Sequence, residues 1–194
     1  LPTVAASNSK KDSVIFSLRN LANLPDKIIK ELGTFCNWLL EKNNCHLEFI
    51  DFQQGAESDS ELHQKIISQI SNKKRVEHFP HINSTKDLLA HFSKAKFIFG
   101  MRMHSVICAM KADKPFIAIS YSRKIDSLIK DSRLEDYLIP YKHLSQALLK
   151  KSFIILREKE SSIKTKLQQL NKKNLEKHLM VEKKLKDFLS AQAS

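Results

Sequence analysis

The short turn from Gly100 to His104 carries the residue types best suited to chemistry in this sequence. Arg102 could bind a carboxylate or a phosphate through two parallel hydrogen bonds, and His104 could exchange protons near neutral pH. Gly100 would permit a sharp turn, or one with positive φ, between a strand and the helix that follows. The first turn of that helix would add unpaired backbone N–H groups. We therefore predict an anion site with Arg102 and His104 as its catalytic residues.

Other cations and hydroxyls follow apolar runs elsewhere in the chain. On this basis we predict substrate binding by six residues: Arg19, Gly100, Ser105, Ser120, Tyr121 and Lys124. Arginine and histidine at such turns also occur as surface or capping groups, and Lys124 could instead pair with Asp126 or Asp131. Function is favoured because three separate strand ends deliver cations to one edge of the expected sheet.

The elements that must position these residues alternate between strands and helices. Short apolar runs rich in β-branched and aromatic residues predict strands at 13–19, 45–52, 76–79, 96–99 and 115–120. Apolar spacing of three and four predicts helices at 26–42, 58–70, 84–92, 103–112 and 143–150. Ser58 and Glu61 could form a capping box, and Ser84 or Thr85 could cap the next helix ahead of Asp87. Residues 138–139 could add a short element, and a Lys-rich helix, which could be broken, begins near residue 156.

This alternation implies right-handed crossovers and a parallel sheet covered on both faces. The predicted fold class is therefore a doubly wound, Rossmann-like α/β domain. Ligands bind such sheets at the carboxyl ends of the strands, which is where the candidate residues lie.

Composition agrees with a folded domain and limits the kind of phosphate site. The 194 residues are 42% hydrophobic and 28% charged, as in ordinary globular proteins. Only three glycines occur, and they are too far apart for a dinucleotide fingerprint or a P-loop. A phosphate group would have to be bound by side-chain cations and helix ends.

The net charge of +12 is unevenly distributed. Residues 150–194 carry twelve Lys or Arg and five Asp or Glu, so more than half of the excess lies there. Such a charge suits an anionic substrate, an anionic membrane surface or nucleic acid. We expect no nucleic-acid binding, because this segment offers only Phe153 and Phe188 as stacking platforms. The predicted divisions are a leader or linker at 1–12, an α/β domain at 13–150 and a basic helical segment at 151–194.

Cysteine and histidine spacing predicts neither disulfides nor a metal site. The three cysteines are odd in number and contain no C-x-x-C pair, which favours a reducing compartment. His78 and His81 lack a third ligand at helical spacing. No apolar run approaches the roughly 18 residues of a spanning helix, and the first residues lack signal-peptide order. The chain begins with Leu1, so we expect a piece of a longer protein.

The segment 84–131 resembles the signature region of the polysaccharide pyruvyl transferase family. The resemblance depends on GMRMH at 100–104 together with ISYSRK at 119–124. Ser17-Leu-Arg19 and the stretch 52–67 are similar to earlier parts of the family pattern, so the similarity covers about residues 14–131. Where the family usually has Asp-Pro after the tyrosine, this sequence has Ser-Arg, which adds a cation.

The resemblance implies a two-domain enzyme similar to GT-B glycosyltransferases, with this chain as the C-terminal, donor-binding half. It implies transfer of a pyruvyl group from phosphoenolpyruvate (PEP) to a sugar of a cell-surface polysaccharide or its lipid-linked precursor, without a cofactor. PEP carries a carboxylate and a phosphate, which Arg19, Arg102 and Lys124 would bind while His104 moves protons. We expect a cytoplasmic protein, peripheral at the inner membrane surface, that could form a homo-oligomer.

Two other functions stay open. A glycosyltransferase of the same shape would bind a nucleotide sugar at this face and would need an acidic residue at a strand end to hold the ribose. Glu135 and Asp136 lie outside the strand ends. A nucleic-acid-binding module would use the basic C-terminal segment and lose affinity steeply with salt.

Overall fold

The computed structural model describes residues 12–22, 24–55, 58–82 and 84–192. All of the predicted leader except Asp12 lies outside these residues. The described residues form six strands: β1 (Ser13–Ser17), β2 (His46–Ile50), β3 (Val76–Phe79), β4 (Phe97–Gly100), β5 (Phe116–Ser120) and β6 (Leu138–Pro140). They form seven α-helices: α1 (Asp26–Lys42), α2 (Ser60–Ser68), α3 (Thr85–Lys94), α4 (Met103–Lys111), α5 (Arg123–Asp131), α6 (Gln146–Glu158) and α7 (Glu160–Gln192).

The strands form one sheet in the order β3-β2-β1-β4-β5-β6, and every neighbouring pair is parallel. The chain moves outward from β1 to β3, returns to place β4 beside β1, and then moves outward again to β6. In doubly wound folds the loops after two such strands leave on opposite sides of the sheet, and ligands bind in the crevice between them at the carboxyl edge. The predicted doubly wound, Rossmann-like α/β fold is confirmed.

Aromatic packing fixes the central strands beneath this crevice. Phe16 of β1 stacks between Phe49 and Phe99, with ring centroids 5.2 and 5.3 Å apart. Phe35 of α1 meets Phe99 edge-on at 5.1 Å. Such pairs contribute beyond the area they bury because ring edges and faces carry opposite partial charges. The three central strands therefore form a rigid support for the residues that follow them.

Of the two predicted helix caps, the one at Ser84 is confirmed. At the start of α3 the hydroxyl of Ser84 accepts from the Asp87 backbone N–H at 3.1 Å and donates to its carboxylate at 2.7 Å. The predicted box between Ser58 and Glu61 is wrong, because α2 begins one residue too late for Ser58 to be its N-cap. Asp59 occupies that position and bonds elsewhere.

Helix α5 was not expected from the apolar spacing. Its apolar residues Ile125, Leu128 and Ile129 share one face, and the two isoleucines are buried. They are few among many charges, which concealed the helical pattern. The short element expected at 138–139 is β6, the edge strand next to β5.

The C-terminal helices continue the core rather than leaving it at residue 150. Helix α6 begins three residues later than expected and crosses that position, so the proposed division cuts a continuous helix. Phe153 packs edge-on against Phe97 at 5.2 Å, and Ile163 and Leu167 of α7 are buried. The expected break lies between α6 and α7. Among the described helices none combines the length and the hydropathy that crossing a bilayer requires.

Candidate active site

Arg19 and Arg102 follow the ends of two neighbouring strands, β1 and β4, which end side by side in the sheet. Ser17 is aligned with Gly100 across β1 and β4, and the Met101 N–H donates to the Ser17 carbonyl at 2.7 Å. Arg19 and Arg102 each follow two residues after this aligned pair. The structure therefore brings both arginines to the carboxyl edge at the β1–β4 reversal, as the sequence predicts.

Arg102 is held by a carboxylate that solvent does not reach. Its Nε donates to both oxygens of Asp59, at 3.2 and 3.1 Å, and its Nη2 donates to Oδ1 at 2.5 Å. The Asp59 side chain is fully buried, whereas that of Arg102 is 12% exposed. This forked pairing fixes the plane of the guanidinium and leaves the Nη1 edge for a ligand. It also offsets part of the arginine's charge.

Asp59 forms hydrogen bonds with residues of three different loops. Its Oδ2 accepts from the backbone N–H groups of Phe52 and Gln53, each at 3.1 Å, and its Oδ1 accepts from that of Asn20 at 3.4 Å. These residues follow β2 and β1, whereas Arg102 follows β4. One side chain at the start of α2 therefore sets the relative position of three strand ends.

Arg19 crosses the crevice to the loop after β5. Its Nη1 donates to the Tyr121 hydroxyl at 2.6 Å, and its guanidinium carbon lies 5.0 Å from the centre of the same ring. Cation–π contact and hydrogen bonding together fix the direction of the side chain. The structure thus brings together two of the predicted binding residues, from strands that are not neighbours.

His104 and Lys124 lie in the first turns of helices that follow β4 and β5. Both side chains are exposed. Within the described part of the chain, Lys124 forms no ion pair with Asp126 or Asp131. A cation and a titratable ring thus stand where the backbone N–H groups of a helix start are unpaired.

Three of the predicted binding residues have packing roles. Ser105 is fully buried and its hydroxyl donates to the Arg102 carbonyl at 2.6 Å, while Ser120 is 4% exposed and donates to the Ser122 carbonyl at 3.2 Å. Gly100 does not adopt the positive φ considered for it; instead, a Cβ there would lie 2.7 Å from Ser105 Oγ. Close approach of α4 explains this glycine, and substrate contact by these three residues stays a prediction.

A buried cluster beneath the β1 exit was not anticipated. Asp51, directly after β2, accepts from His63 Nδ1 at 2.5 Å and from His78 Nε2 at 2.9 Å on the same oxygen, and from the Ser60 hydroxyl on the other. His63 Nε2 in turn accepts from the Leu18 N–H at 3.0 Å. Of its members only His78, beside His81, stood out in the sequence, because the fold and not the spacing along the chain brings the others to it.

The ionisation of this cluster follows from its surroundings. Burial alone would raise the pKa of Asp51, but hydrogen bonds from His63, His78 and Ser60 together hold it below its ordinary range. Burial lowers the pKa of His63, although its bond to Asp51 acts in the opposite direction. The cluster is therefore an ionised carboxylate with a neutral His63.

This cluster is a poor donor set for a metal ion. Its ligand atoms on Asp51, His63 and His78 lie within 4.8 Å of one another. However, a metal at His63 Nδ1 would move that ring's proton to Nε2, where it would oppose the Leu18 N–H. The acceptor role of Nε2 thus commits His63 to hydrogen bonding.

Comparison with known proteins gives a family match. The sequence profile of the family described as polysaccharide pyruvyl transferase matches residues 17–123. The chain belongs to the polysaccharide pyruvyl transferase family. The match includes Arg19, Arg102 and His104 and ends just before Lys124. No curated protein matches the chain.

Solved structures show the same fold at low sequence identity. An O-GlcNAc transferase mutant of Thermobaculum terrenum has a TM-score of 0.61 at 14% identity, over 87% of this chain and 33% of that one. A UDP-GlcNAc 2-epimerase of Neisseria meningitidis, bound to UDP-GlcNAc, has a TM-score of 0.59 at 11% identity, over 88% of this chain and 45% of that one. This family member therefore spans less than half the length of these structures and shares the Rossmann-like domain of GT-B glycosyltransferases.

Proposed function

We propose that this domain binds PEP at the carboxyl edge of β1, β4 and β5 and takes part in transferring its pyruvyl group to a sugar of a polysaccharide or a lipid-linked precursor. The observation that carries the proposal is the fixed placement of Arg19 and Arg102 at the β1–β4 reversal, beside the exposed His104. Family membership supports the same reaction.

The cations suit a small ligand with two anionic groups. A carboxylate and a phosphate separated by one carbon need several donors a few Å apart, and arginine offers them in a fixed plane. Arg19 and Arg102 are already oriented by Tyr121 and Asp59, so less side-chain entropy would be lost on binding. Lys124, exposed in the first turn of α5, would add a mobile charge.

The reaction requires balanced proton movements. The methylene carbon of PEP gains a proton while one sugar hydroxyl adds to C2 and loses its proton. A second hydroxyl then displaces the phosphate to close the ketal, and its proton leaves with the inorganic phosphate. A group that titrates near neutral pH serves both directions of transfer. His104 suits this role because it is exposed in the first turn of α4, two residues after Arg102 in the chain.

A nucleotide-sugar donor is the second candidate, since the Neisseria epimerase of similar fold is bound to UDP-GlcNAc. A Rossmann ribose site uses a free acidic residue at the end of β2. Asp51 stands there, but both its oxygens already accept hydrogen bonds from protein groups. Asp59, at the start of α2, is bonded to Arg102. These contacts favour PEP.

The membrane expectation belongs to the same proposal. Helix α7 is rich in lysine and exposes apolar residues beyond the core. A basic helix would hold the protein at the inner membrane surface, where a lipid-linked acceptor lies. Association into a homo-oligomer is also left as a proposal.

Incubation of the longest natural form with PEP and candidate acceptor lipids tests the reaction. We expect phosphate release together with a gain of one pyruvyl group in the acceptor mass. Calorimetric titration with PEP and, separately, with UDP-GlcNAc identifies the donor. Binding of UDP-GlcNAc without binding of PEP would reject the proposal in favour of a glycosyltransferase.

Substitution of His104 by alanine tests its role. We expect kcat to fall roughly 10²–10⁴-fold, because general acid–base catalysis contributes on that scale, with unchanged folding since the side chain is exposed. His178→Ala, which removes an exposed histidine from α7, is the matched control. Equal turnover of His104→Ala and His178→Ala would remove His104 from catalysis.

A further inference from the structure

We propose that His63 is a positioning residue of the candidate donor site: by accepting a hydrogen bond from the Leu18 backbone, it sets the direction in which Arg19 leaves β1. The proposed function enters only through the ligand, since the placement of Arg19 is a property of the protein alone. His63 lies on α2, is fully buried, and cannot touch a substrate itself.

Residues at the start of α2 and within it accept hydrogen bonds from the backbone on both sides of Arg19. The Leu18 N–H donates to His63 Nε2 at 3.0 Å, and the Asn20 N–H donates to Asp59 Oδ1 at 3.4 Å. His63 and Asp59 are four residues apart and therefore share one face of the helix. With the N–H groups before and after it both directed to α2, Arg19 reaches to Tyr121 on the loop after β5.

The ring of His63 has no freedom to turn. Its Nδ1 donates to Asp51 at 2.5 Å, and its ring packs edge-to-face with that of Phe49, with centroids 5.3 Å apart. Asp51 is itself held by Ser60 and His78. The position of the acceptor nitrogen is therefore fixed by the whole cluster.

Loss of this acceptor would leave a buried backbone donor without a partner. Leu18 is 1% exposed, so water does not replace His63 there. Buried N–H groups in folded proteins are almost always paired, because leaving one unpaired is costly. The backbone before Arg19 would shift to find another acceptor, and the guanidinium would move with it.

Two substitutions of similar shape separate the acceptor from the packing. His63→Gln places an amide oxygen near the position of Nε2, whereas His63→Met fills similar space without a good acceptor. We expect His63→Met to weaken PEP binding roughly tenfold and to abolish the nuclear Overhauser contacts between Arg19 and the Tyr121 ring. In His63→Gln both should be preserved, with PEP affinity within about threefold of the wild-type value.

Ile66→Ala is the control for general destabilisation. Ile66 is fully buried on the same helix, and its side chain makes none of these hydrogen bonds. This variant should bind PEP like the wild type despite its lower stability. Retention of the Arg19–Tyr121 contacts in folded His63→Met, or their loss in His63→Gln, would overturn the proposal.

The wild-type protein gives an independent test. Nitrogen shifts of the His63 ring should show the proton on Nδ1, and the Leu18 amide should exchange slowly with solvent. A proton on Nε2 would overturn the proposal even if no variant folds. Failure of the wild type to bind PEP would reject the donor assignment, while the Arg19–Tyr121 contacts would still decide the role of His63.

Discussion

Arg102 is predicted to bind an anion because of its charge, but its orientation in the structure depends on Asp59. Alone, a guanidinium at a strand end would sample many rotamers and interact weakly through water. Paired with the fully buried Asp59, it has one orientation. The carboxylate is costly to bury, and its hydrogen bonds to Arg102 and to backbone N–H groups offset that cost. The ion pair thus fixes the position of the Arg102 guanidinium, and it offsets part of the positive charge that Arg102 offers to a ligand.

Substitution of Asp59 by asparagine should therefore weaken both stability and binding. We expect the free energy of unfolding to fall by about 3 kcal/mol, because removing one partner leaves the other side of a buried ion pair uncompensated. PEP affinity should fall with it, since Arg102 loses its fixed plane. Urea unfolding and calorimetric titration measure the two effects.

The control is Glu61→Gln, two residues further along. Glu61 pairs with Lys65 at the surface, at 2.6 Å, where solvent screens the interaction. This variant should match the wild type in both measurements. If Asp59→Asn is as stable as Glu61→Gln, the buried pair contributes nothing to the fold.

His63 makes stability dependent on pH. Burial lowers its pKa from the ordinary 6.5, so below that pH the unfolded chain binds a proton that the folded protein excludes. The free energy of unfolding should fall as the pH drops from 6.5 toward the lower folded pKa, by at most about 1.4 kcal/mol per pH unit. Asp51, whose pKa lies below its ordinary 3.8, adds a loss in the same direction below about pH 4.

Urea unfolding at pH 7.5, 6.5 and 5.5 measures this slope. His63→Gln has no proton to gain at this position and should give a shallower slope than the wild type. The histidines that do not contact Asp51 are common to both proteins, so they cancel in the comparison. Identical slopes would mean that His63 is protonated equally in the folded and unfolded states.

Among the elements, the contact of α4 with β4 explains the single glycine in the signature turn. A Cβ at Gly100 would lie 2.7 Å from Ser105 Oγ and 3.3 Å from Val106 Cγ2. Helix α4 therefore approaches the strand end more closely than a larger residue allows. This approach places the first turn of α4, with His104, above the end of the sheet.

Gly100→Ala should push α4 away and lower the free energy of unfolding by about 1–3 kcal/mol, as overpacking commonly does. Ser105→Ala removes the atom that the new methyl group meets first. The double variant should therefore be less destabilised than the sum of the single variants, as a double-mutant cycle in urea would show. Strict additivity would mean that Ser105 is not the source of the strain.

The helices and strands that could be predicted from the sequence are those whose pattern depends on near neighbours in the chain. Helix α1 agrees with its apolar spacing at both ends, and the central strands agree to within two residues, because each pattern depends on near neighbours. Helix α5 was missed because its few apolar residues become meaningful only against β5. Arg19 and Arg102 could be predicted as site residues from their position after strands. Asp59 and His63 could not be assigned their partners, because these depend on how α2 lies across three strand ends.

At the scale of the whole molecule, charge and apolar surface coincide on α7 beyond its buried start. Leu175 and Leu179 are 58% and 53% exposed, and they share a face with Lys172 and Lys183 by helical spacing. Two leucines flanked by lysines match a helix that lies at an anionic lipid surface.

Co-sedimentation with lipid vesicles tests this arrangement. We expect binding to vesicles that contain anionic lipid, little binding to neutral vesicles, and release by salt, because each lysine near the surface contributes about 1 kcal/mol. Leu175→Gln with Leu179→Gln should weaken binding without changing the fold, since both side chains are exposed. A random DNA duplex is the matched polyanion: tight, salt-sensitive duplex binding without vesicle binding would assign α7 to nucleic acid instead. Vesicle binding that the two leucine substitutions leave unchanged would reduce the contact to charge alone and reject insertion of this face.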